Sequence, residues 1–414
     1  MNDRVDTPTP KTVHLALQGG GAHGAFTWGV LDALLLDGRL QFAGISGTSA
    51  GALNAVALAH GWARAQDEGD DPAEGARASL ANLWAKVMEM GSLGEGPARL
   101  GRLMMGVLPG ALTRVSPYLA NPLDHNPLRS LIEREIDFDR LARLKSPRVF
   151  VAATDVETGR AEIFSGKRLT AQAVMASCCL PQLFQAPVIN GRRYWDGGYS
   201  ANPALGPLVE LGETRDILLV QINPLKRSDS AISEAQITDR INDLTFNASL
   251  IAQMRTIALI NELVAHCVAR EGLQPIHMHR IDGGASLADM PASSKVTPQR
   301  ATLEKLFELG QDSAKRWLKR HQASVGEKSS INLQRDYGDA LKLAFEAADN
   351  DAAELSGDDA DTPLARFLWS PEEQARAADA ASAAVAQAVR AAAQGSDGRP
   401  APDARADAST AAPT

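Results

Sequence analysis

Residues 42–58 read FAGISGTSAGALNAVAL, in which an apolar run meets a Gly-Thr-Ser-Ala-Gly turn and continues as an alanine-rich segment. The apolar run predicts a buried strand over 42–48, and the segment after the turn has the apolar spacing of a helix over 50–65. The preceding residues repeat this order, with a strand predicted over 13–17, three glycines, and a helix predicted over 22–37. Strands that alternate with helices in this way favour a mostly parallel sheet covered by helices.

The alternation continues along the chain and predicts an α/β protein with three layers, α/β/α, around the mostly parallel sheet. Further strands are predicted over 148–153, 161–164, 187–190, 217–222 and 275–281. Further helices are predicted over 171–177, 203–211, 233–271 and 298–321. Residues 67–126 are less regular, with an acidic run over 67–74 and one helix near 79–90, and we interpret them as an insertion or cap.

Three stretches of different composition divide the 414 residues. Residues 1–10 are polar and contain proline, and we expect them to be disordered. Residues 11–325 are predicted to form one α/β domain. Residues 326–414 are rich in alanine and aspartate, a composition that buries too little apolar surface to offset the entropy of ordering. We therefore expect a largely disordered tail.

Charge and cysteine content narrow the classes of function. Lys and Arg total 42 against 50 Asp and Glu, a net charge of −8, so no general attraction for nucleic acid is expected. Cys178, Cys179 and Cys267 form no disulfide framework, which favours a reducing compartment. The first residues resemble no signal peptide, and no apolar run reaches the length of a membrane span. We expect a cytoplasmic protein whose membrane contact, if any, is local and peripheral.

The turn between the strand at 42–48 and its helix fits the G-x-S-x-G nucleophile elbow, with Gly47 and Gly51 around Ser49. Small flanking residues are needed because the serine backbone is strained and the following helix passes close by. The serine hydroxyl then lies at a helix N-terminus, where the helix dipole favours developing negative charge. Ser49 is therefore predicted to be a catalytic nucleophile, and a purely structural tight turn is the alternative.

The sequence GGGAHG, from Gly19 to Gly24, also joins a predicted strand to a helix. One interpretation is a dinucleotide fingerprint, but the acidic residue expected about 20 residues later is missing, since residues 40–46 contain none. The other is an oxyanion hole, in which the N–H groups of Gly20 and Gly21 hold a tetrahedral intermediate. Two such loops after neighbouring strands lie at one edge of a sheet, which favours the oxyanion hole.

A third signal is Asp196-Gly197-Gly198. A nucleophilic serine needs a base, and a carboxylate flanked by glycines can approach it without an intervening imidazole. The tripeptide alone is a weak signal, because Asp282 begins a second Asp-Gly-Gly. We interpret that second copy as a turn.

The glycine-rich loop, the G-x-S-x-G serine and the Asp-Gly-Gly aspartate, in this order, resemble the patatin-like phospholipase family. The resemblance covers residues 13–225 and includes ASCCLPQLF over 176–184 and the dipeptide Asn-Pro at 202–203. That dipeptide favours the first Asp-Gly-Gly over the second. The resemblance implies a Ser/Asp dyad of Ser49 and Asp196 that hydrolyses acyl esters of lipids without a metal or other cofactor.

One position departs from the family pattern, because this chain has His23 where the loop usually carries Arg or Lys. A permanent charge is thereby replaced by a group that titrates near neutral pH. One interpretation is an accessory, pH-sensitive role beside the oxyanion or a lipid phosphate. The other, which we favour, is a structural histidine whose hydrogen bonds are satisfied within the protein.

Other residues offer rival sites. His266, His277 and His279 follow the aspartate in the order of an α/β-hydrolase triad, and the last two would pair on one strand face at a metal. No loop signature or further ligand accompanies them, so we predict core or strand-edge residues and no metal site. Residues 99–120 mix apolar residues with three arginines and no acid, which suits either a lid that contacts lipid or an insertion packed on the core.

The sequence therefore predicts a serine acyl hydrolase, phospholipase A-like or lysophospholipase-like, whose reaction passes through an acyl-enzyme. One alternative is a lipid-binding or scaffolding protein with the same fold and little or no turnover. Another is a nucleotide-binding Rossmann protein.

Overall fold

The computed structural model describes residues 9–92, 116–122, 124, 126–226, 233–266, 274–290, 294–295 and 298–338. All of these belong to one compact unit, Met1–Gly338, and the second unit, Asp339–Thr414, lies outside the described residues. The predictions made for residues 1–8, for 99–115 and for the tail beyond 338 likewise lie outside them.

A single sheet organises the described part of the chain. Its strands are β1 Lys11–Leu17, β2 Leu40–Thr48, β3 Arg148–Asp155, β4 Ala161–Ser165, β5 Val188–Ile189, β6 Arg192–Asp196, β7 Asp216–Gln221 and β8 His277–Asp282. Their order is β5-β6-β3-β2-β1-β7-β8, with β4 paired to β3 outside this path. The pairs among β3, β2, β1, β7 and β8 are parallel, whereas β4 and β6 run antiparallel to β3.

This pairing brings three loops to one edge of the sheet. Leu17 of β1 pairs with Gly47 of β2, and β2 pairs with β3 as far as Thr48. On the antiparallel strand β6, the last residue, Asp196, pairs with Ala153 near the end of β3. The loops that follow β1, β2 and β6 therefore leave the sheet at its carboxyl edge, where open α/β sheets bind their ligands.

Helices cover both faces of the sheet. They are α1 Gly24–Asp37, α2 Ala50–Glu68, α3 Pro72–Ser92, α4 Pro117–Ala120, α5 Pro127–Glu135, α6 Phe138–Arg143, α7 Ala171–Ser177, α8 Gly206–Leu211, α9 Glu234–His266, α10 Gly284–Ala288, α11 Arg300–His321 and α12 Leu333–Tyr337. Leu15 and Leu17 face one core, which they share with α1, α2, α3 and α11. Ala16 faces a second core, shared with α8, α9 and α12. Side chains alternate between the two faces along β1, so neighbouring residues face different cores. Each large apolar side chain buried in these cores contributes about 1.5–3 kcal/mol to the free energy of folding.

The predicted three-layer α/β/α architecture with a mostly parallel sheet is confirmed. The segment 67–126 contains a core helix, because α3 buries Leu80, Leu83 and Trp84 in the first core. The folded unit also extends past the predicted limit at 325 to Gly338, since Leu333 and Tyr337 of α12 are buried in the second core.

Strand β6 was not among the predicted strands. Its residues Arg192 and Arg193 are exposed, whereas Tyr194 and Asp196 are buried. Only one face of this short strand is covered, so its sequence lacks the continuous apolar run that predicted the central strands.

One described helical stretch, Arg240–Ala265 within α9, is long and apolar enough by length and composition to cross a membrane, with a mean hydropathy of 1.2. Leu250, Met254 and Ile257 on its inner side are buried in the second core. Asp243 and Asn247 are buried on the same side. The helix therefore packs on the sheet through one side, as surface helices of folded domains do.

Candidate active site

Ser49 lies at the turn between β2 and α2, at the carboxyl edge of the sheet. Its backbone has φ 54° and ψ −122°, and such a positive φ is unfavourable for a residue with a side chain. Neighbouring groups hold this conformation: the Ser49 N–H donates a 2.8 Å hydrogen bond to Ser177 Oγ. The Ser49 carbonyl accepts hydrogen bonds from Ala52 and Leu53 in the first turn of α2. The side chain stays partly exposed and can meet a substrate.

Close backbone packing requires the glycines around this turn. A Cβ on Gly51 would lie 2.1 Å from a carbonyl oxygen of β1, and a Cβ on Gly47 would lie 2.5 Å from the Gly51 carbonyl oxygen. A Cβ on Gly19 would lie 2.6 Å from the Thr48 carbonyl oxygen and 2.8 Å from Ser49 Cβ. Because these side chains are missing, the loop after β1 lies directly against the serine.

Asp196 ends β6 and is only 1% exposed. Its carboxylate accepts the Gly198 N–H at 2.7 Å, and its interaction with the Ser49 side chain lowers the pKa of Asp196. Its backbone is fixed on both sides: the Asp196 N–H donates to the Cys179 carbonyl at 2.7 Å, and Thr154 Oγ1 donates to the Asp196 carbonyl at 2.8 Å. The sheet therefore brings a hydroxyl and a carboxylate, distant in the chain, close together.

The surroundings of Asp196 make it a stronger base than an ordinary carboxylate. Burial raises the pKa of Asp196 from 3.8 to about 7, although the hydrogen bonds from the Gly198 N–H and Ser49 oppose the rise. Gly197, the next residue, packs tightly against β3, because a Cβ on Gly197 would lie only 2.2 Å from the Ala152 carbonyl oxygen. This close packing lets the Asp196 carboxyl group lie in a buried place. A carboxylate whose pKa is near neutral is suited to take a proton from a serine hydroxyl.

The glycine loop supplies backbone donors that the protein does not use. Among the described residues, neither the Gly20 N–H nor the Gly21 N–H donates to a protein acceptor. Gly21 has φ +58°, and a Cβ there would lie 2.2 Å from the Lys295 carbonyl oxygen. Gly24 packs against α2, where a Cβ would lie 2.7 Å from Ala50 Cβ. Unengaged amides in a loop that lies against a serine are available to donate to a ligand oxygen.

Three buried polar side chains hold the start of this loop, and none of them was predicted as a site residue. The Gly19 N–H donates to Asn202 Oδ1 at 2.6 Å, and Asn223 Nδ2 donates to the Gly19 carbonyl at 2.7 Å. Gln18 Oε1 accepts the Asn223 N–H at 2.8 Å. The Asn-Pro dipeptide at 202–203 was the one available signal, since it belongs to the family resemblance.

His23 is 1% exposed, and its Nε2 shares a 2.7 Å hydrogen bond with Ser294 Oγ. The ring therefore bonds within the protein instead of facing open solvent. This geometry favours the structural interpretation of His23 over an accessory role.

Two adjacent cysteines lie next to Ser49 and Asp196. Burial raises the pKa of the Cys178 thiol well above its usual range, and the nearby Asp196 carboxylate raises it further. Burial likewise raises the pKa of Cys179 to about 12. Both thiols stay protonated at neutral pH and are therefore poor nucleophiles.

A comparison with protein families gives one match, to the model described as patatin-like phospholipase, over residues 15–209. Residues 15–209 are a patatin-like phospholipase domain. This interval contains the glycine loop, the serine turn and the Asp-Gly-Gly segment that meet at the carboxyl edge of the sheet.

No curated protein sequence matches the chain significantly. Among solved structures, it is similar to VipD from Legionella pneumophila, with 15% identity, a TM-score of 0.35, and coverage of 82% of this chain and 75% of that one. It is also similar to the type III effector ExoU, with 17% identity, a TM-score of 0.27, and coverage of 84% and 64%. A structure of ExoU with SpcU from Pseudomonas aeruginosa gives 15% identity, a TM-score of 0.27, and coverage of 82% and 84%.

The second Asp-Gly-Gly of the chain lies outside the patatin-like domain and is a surface turn, as predicted. The Asp282 side chain is 41% exposed and pairs with Arg280 at 2.8 Å. Asp282 Oδ1 also accepts the Gly284 N–H at 3.0 Å. These contacts are local to the end of β8.

The strand histidines lie away from Ser49, at the amino ends of parallel strands. His279 Nε2 hydrogen-bonds to Asp216 Oδ1 at 2.9 Å, and His277 Nδ1 lies 3.4 Å from the same oxygen. Asp216 begins β7 and His277 begins β8, at the edge opposite the patatin-like site. Within the described residues, no group of three His, Cys, Asp or Glu side chains is arranged to hold a metal.

The end of the segment 99–120, for which the sequence allows either a lid or a packed insertion, contacts the loop that precedes β5. The Ala186 N–H donates to Tyr118 Oη at 3.3 Å, and Gln185 Nε2 donates to the Asn121 carbonyl at 2.7 Å. The end of the segment is therefore tied to the loop that precedes β5. Residues 99–115 lie outside the described residues.

Proposed function

We propose that the patatin-like domain is a serine-dependent lipid acyl hydrolase, phospholipase A-like or lysophospholipase-like, that cleaves carboxylic esters with Ser49 and Asp196. The observation that carries this proposal is the place of the buried Asp196 carboxylate beside the Ser49 side chain, whose interaction with it lowers the pKa of Asp196. The unengaged amides of the glycine loop and the family match over residues 15–209 support it further.

In the acylation step, the Asp196 carboxylate takes the proton of Ser49 Oγ as that oxygen attacks the ester carbonyl. The tetrahedral intermediate carries a negative oxygen, which accepts hydrogen bonds from the Gly20 and Gly21 N–H groups. Collapse of the intermediate breaks the bond to the alcohol, and the Asp196 carboxyl returns the proton to the leaving oxygen. The acyl group is then an ester of Ser49.

The deacylation step repeats this sequence with water as the nucleophile. The Asp196 carboxylate takes a proton from water as the water oxygen attacks the acyl-enzyme, and the same amides hold the second oxyanion. Ser49 Oγ leaves and recovers its proton from Asp196. The products are the free fatty acid and the regenerated enzyme, and no cofactor takes part in the proposed cycle.

A fluorophosphonate probe and a lipid panel test the proposal. The probe should label the wild-type protein and fail to label Ser49→Ala. Any hydrolysis of phospholipid vesicles, lysophospholipid micelles and neutral glyceride emulsions should be lost in Ser49→Ala and Asp196→Asn. Asp282→Asn is the matched control and should keep wild-type activity. Folded wild-type protein that neither reacts with the probe nor hydrolyses any lipid would refute the proposal and favour a lipid-binding protein.

A further inference from the structure

A buried ion pair lies against the glycine loop. Lys295 Nζ donates to Asp243 Oδ1 of α9 at 2.7 Å, and the exposed fractions of the two side chains are 13% for Lys295 and 0% for Asp243. The Lys295 carbonyl oxygen lies 2.2 Å from the place of a Cβ on Gly21. Buried ion pairs add little to stability because desolvation opposes their attraction. Stability alone therefore does not account for this pair.

One side chain, Asn223, connects the ammonium group to the loop. Lys295 Nζ donates to Asn223 Oδ1 at 2.7 Å, and Asn223 Nδ2 donates to the Gly19 carbonyl at 2.7 Å. An ammonium group can only donate and a carbonyl oxygen can only accept, so the Asn223 amide has one possible orientation here. Asn223 is itself buried, its contact with the Gly19 carbonyl is buried, and its contact with Lys295 is partly buried.

The peptide between Gly19 and Gly20 continues this chain of hydrogen bonds. It is not among the cis peptides of the described residues, and in a trans peptide the C=O and the N–H point in opposite directions. Because Asn223 holds the Gly19 oxygen, the Gly20 N–H points away from Asn223. The hydrogen bonds of this series then all point the same way. The Lys295 ammonium donates to the Asn223 amide, the amide donates to the Gly19 carbonyl, and the Gly20 N–H of the same peptide is the last donor.

We propose that Lys295 is a positioning residue for the oxyanion hole, acting through Asn223 and the peptide between Gly19 and Gly20. Hydrogen bonds in a row polarise one another in the low dielectric of a protein interior. The charge on Lys295 makes the Gly20 N–H a stronger donor toward the oxyanion, and Asn223 fixes its direction. Asp243 holds the ammonium group in place. This inference rests on the proposed function, since it assigns a role in the same reaction.

The experiment measures kcat and KM on a soluble p-nitrophenyl ester, together with unfolding in urea, for a set of full-length variants. Asn223→Leu removes the link and keeps the ion pair. The double variant Lys295→Met with Asp243→Asn removes both charges, so no lone charge stays buried. Lys295→Arg keeps a charged donor. The matched control replaces another partly buried pair, Arg77 and Asp32, whose atoms are 2.8 Å apart, by Met and Asn.

We expect kcat to fall about 100-fold in Asn223→Leu, because losing one oxyanion donor typically costs about 100- to 1,000-fold. In the Lys295 and Asp243 double variant we expect a fall of about tenfold, since the donor is kept but less polarised. KM should change less than about threefold in both, because the contact forms in the transition state. Lys295→Arg should recover most of the activity, and the control pair should leave kcat unchanged.

The decisive comparison is the variant that combines all three substitutions. If Lys295 acts through Asn223, the combined variant loses no more kcat than Asn223→Leu alone. Folded variants with wild-type kcat, or losses that multiply in the combined variant, would overturn the role of Lys295 while the proposed function stands. Wild-type protein without esterase activity or probe labelling would overturn both.

Discussion

Replacing Asp196 by Asn should abolish hydrolysis and, at the same time, stabilise the fold. Asn has nearly the shape of a protonated Asp and keeps an oxygen that can accept the Gly198 N–H, now 2.7 Å from the Asp196 carboxylate. It carries no charge, so its burial avoids the desolvation that an ionised carboxylate suffers in a water-free site. A base that weakens the fold when it ionises is the signature of a group placed for chemistry.

The size of the effect follows from the pKa of Asp196, which burial raises from 3.8 to about 7. An acid with a raised pKa binds its proton more tightly in the folded than in the unfolded chain, so the fold loses stability as the pH rises from about 4 to about 7. At about 1.4 kcal/mol per pH unit, the loss reaches about 4 kcal/mol above pH 7. The Asn variant escapes this loss, and its advantage over the wild type should therefore grow with pH and level off above about 7.

Urea unfolding of both proteins between pH 5 and pH 8 measures this advantage as a difference in the free energy of unfolding. Asp282→Asn is the control, because its exposed side chain pairs with Arg280 at the surface and its substitution should show no such growth. A difference for Asp196→Asn that stays constant with pH, or a variant less stable than the wild type at pH 8, would refute the reasoning.

Three further predictions concern the same site. The kcat/KM of the wild type should rise as the pH passes through about 7, because Asp196 must be ionised to act as a base and burial raises its pKa to about 7. A profile that is flat from pH 5 to pH 9 would contradict this assignment. Gly19→Ala should lower kcat/KM at least about 100-fold, because the new Cβ would lie 2.8 Å from Ser49 Cβ and displace the nucleophile or the oxyanion donors. The control Gly206→Ala should match the wild type, because no atom lies within 4 Å of the place of its Cβ. Ser177→Ala removes the acceptor that lies 2.8 Å from the Ser49 N–H. We expect kcat to fall about tenfold and the free energy of unfolding to fall by about 1–3 kcal/mol. Unchanged kinetics would show that the Ser49 turn keeps its geometry without Ser177.

The features that could be predicted from the sequence are those with short-range signals. Apolar runs ended by glycines located β1 and β2, and the small residues around Ser49 located the elbow, because each of these structures is built within a few residues. Topology then followed, since consecutive βα units place their loops at one sheet edge. The Asn-Pro dipeptide at 202–203 favoured Asp196 over Asp282.

The supporting residues could not be predicted in this way. Asn202 contacts Gly19 across 183 residues, and Lys295 contacts Asn223 across 72. A lone Asn or Lys in a loop has the sequence of any solvated residue, and only the completed fold shows that these side chains are buried and bonded. The end of the folded unit was missed for a similar reason, because the few apolar residues of α12 matter only through the core that receives them.

The carboxylate in contact with Ser49 has a consequence for how charge moves during the proposed reaction. When an imidazole removes the proton of a serine, it becomes a cation that faces the new anion. When Asp196 removes it, the base becomes neutral, and the same single negative charge travels from the carboxyl group to the substrate oxygen. No new pair of opposite charges is created, and catalysis consists of stabilising the negative charge better on the substrate oxygen than on the Asp196 carboxylate.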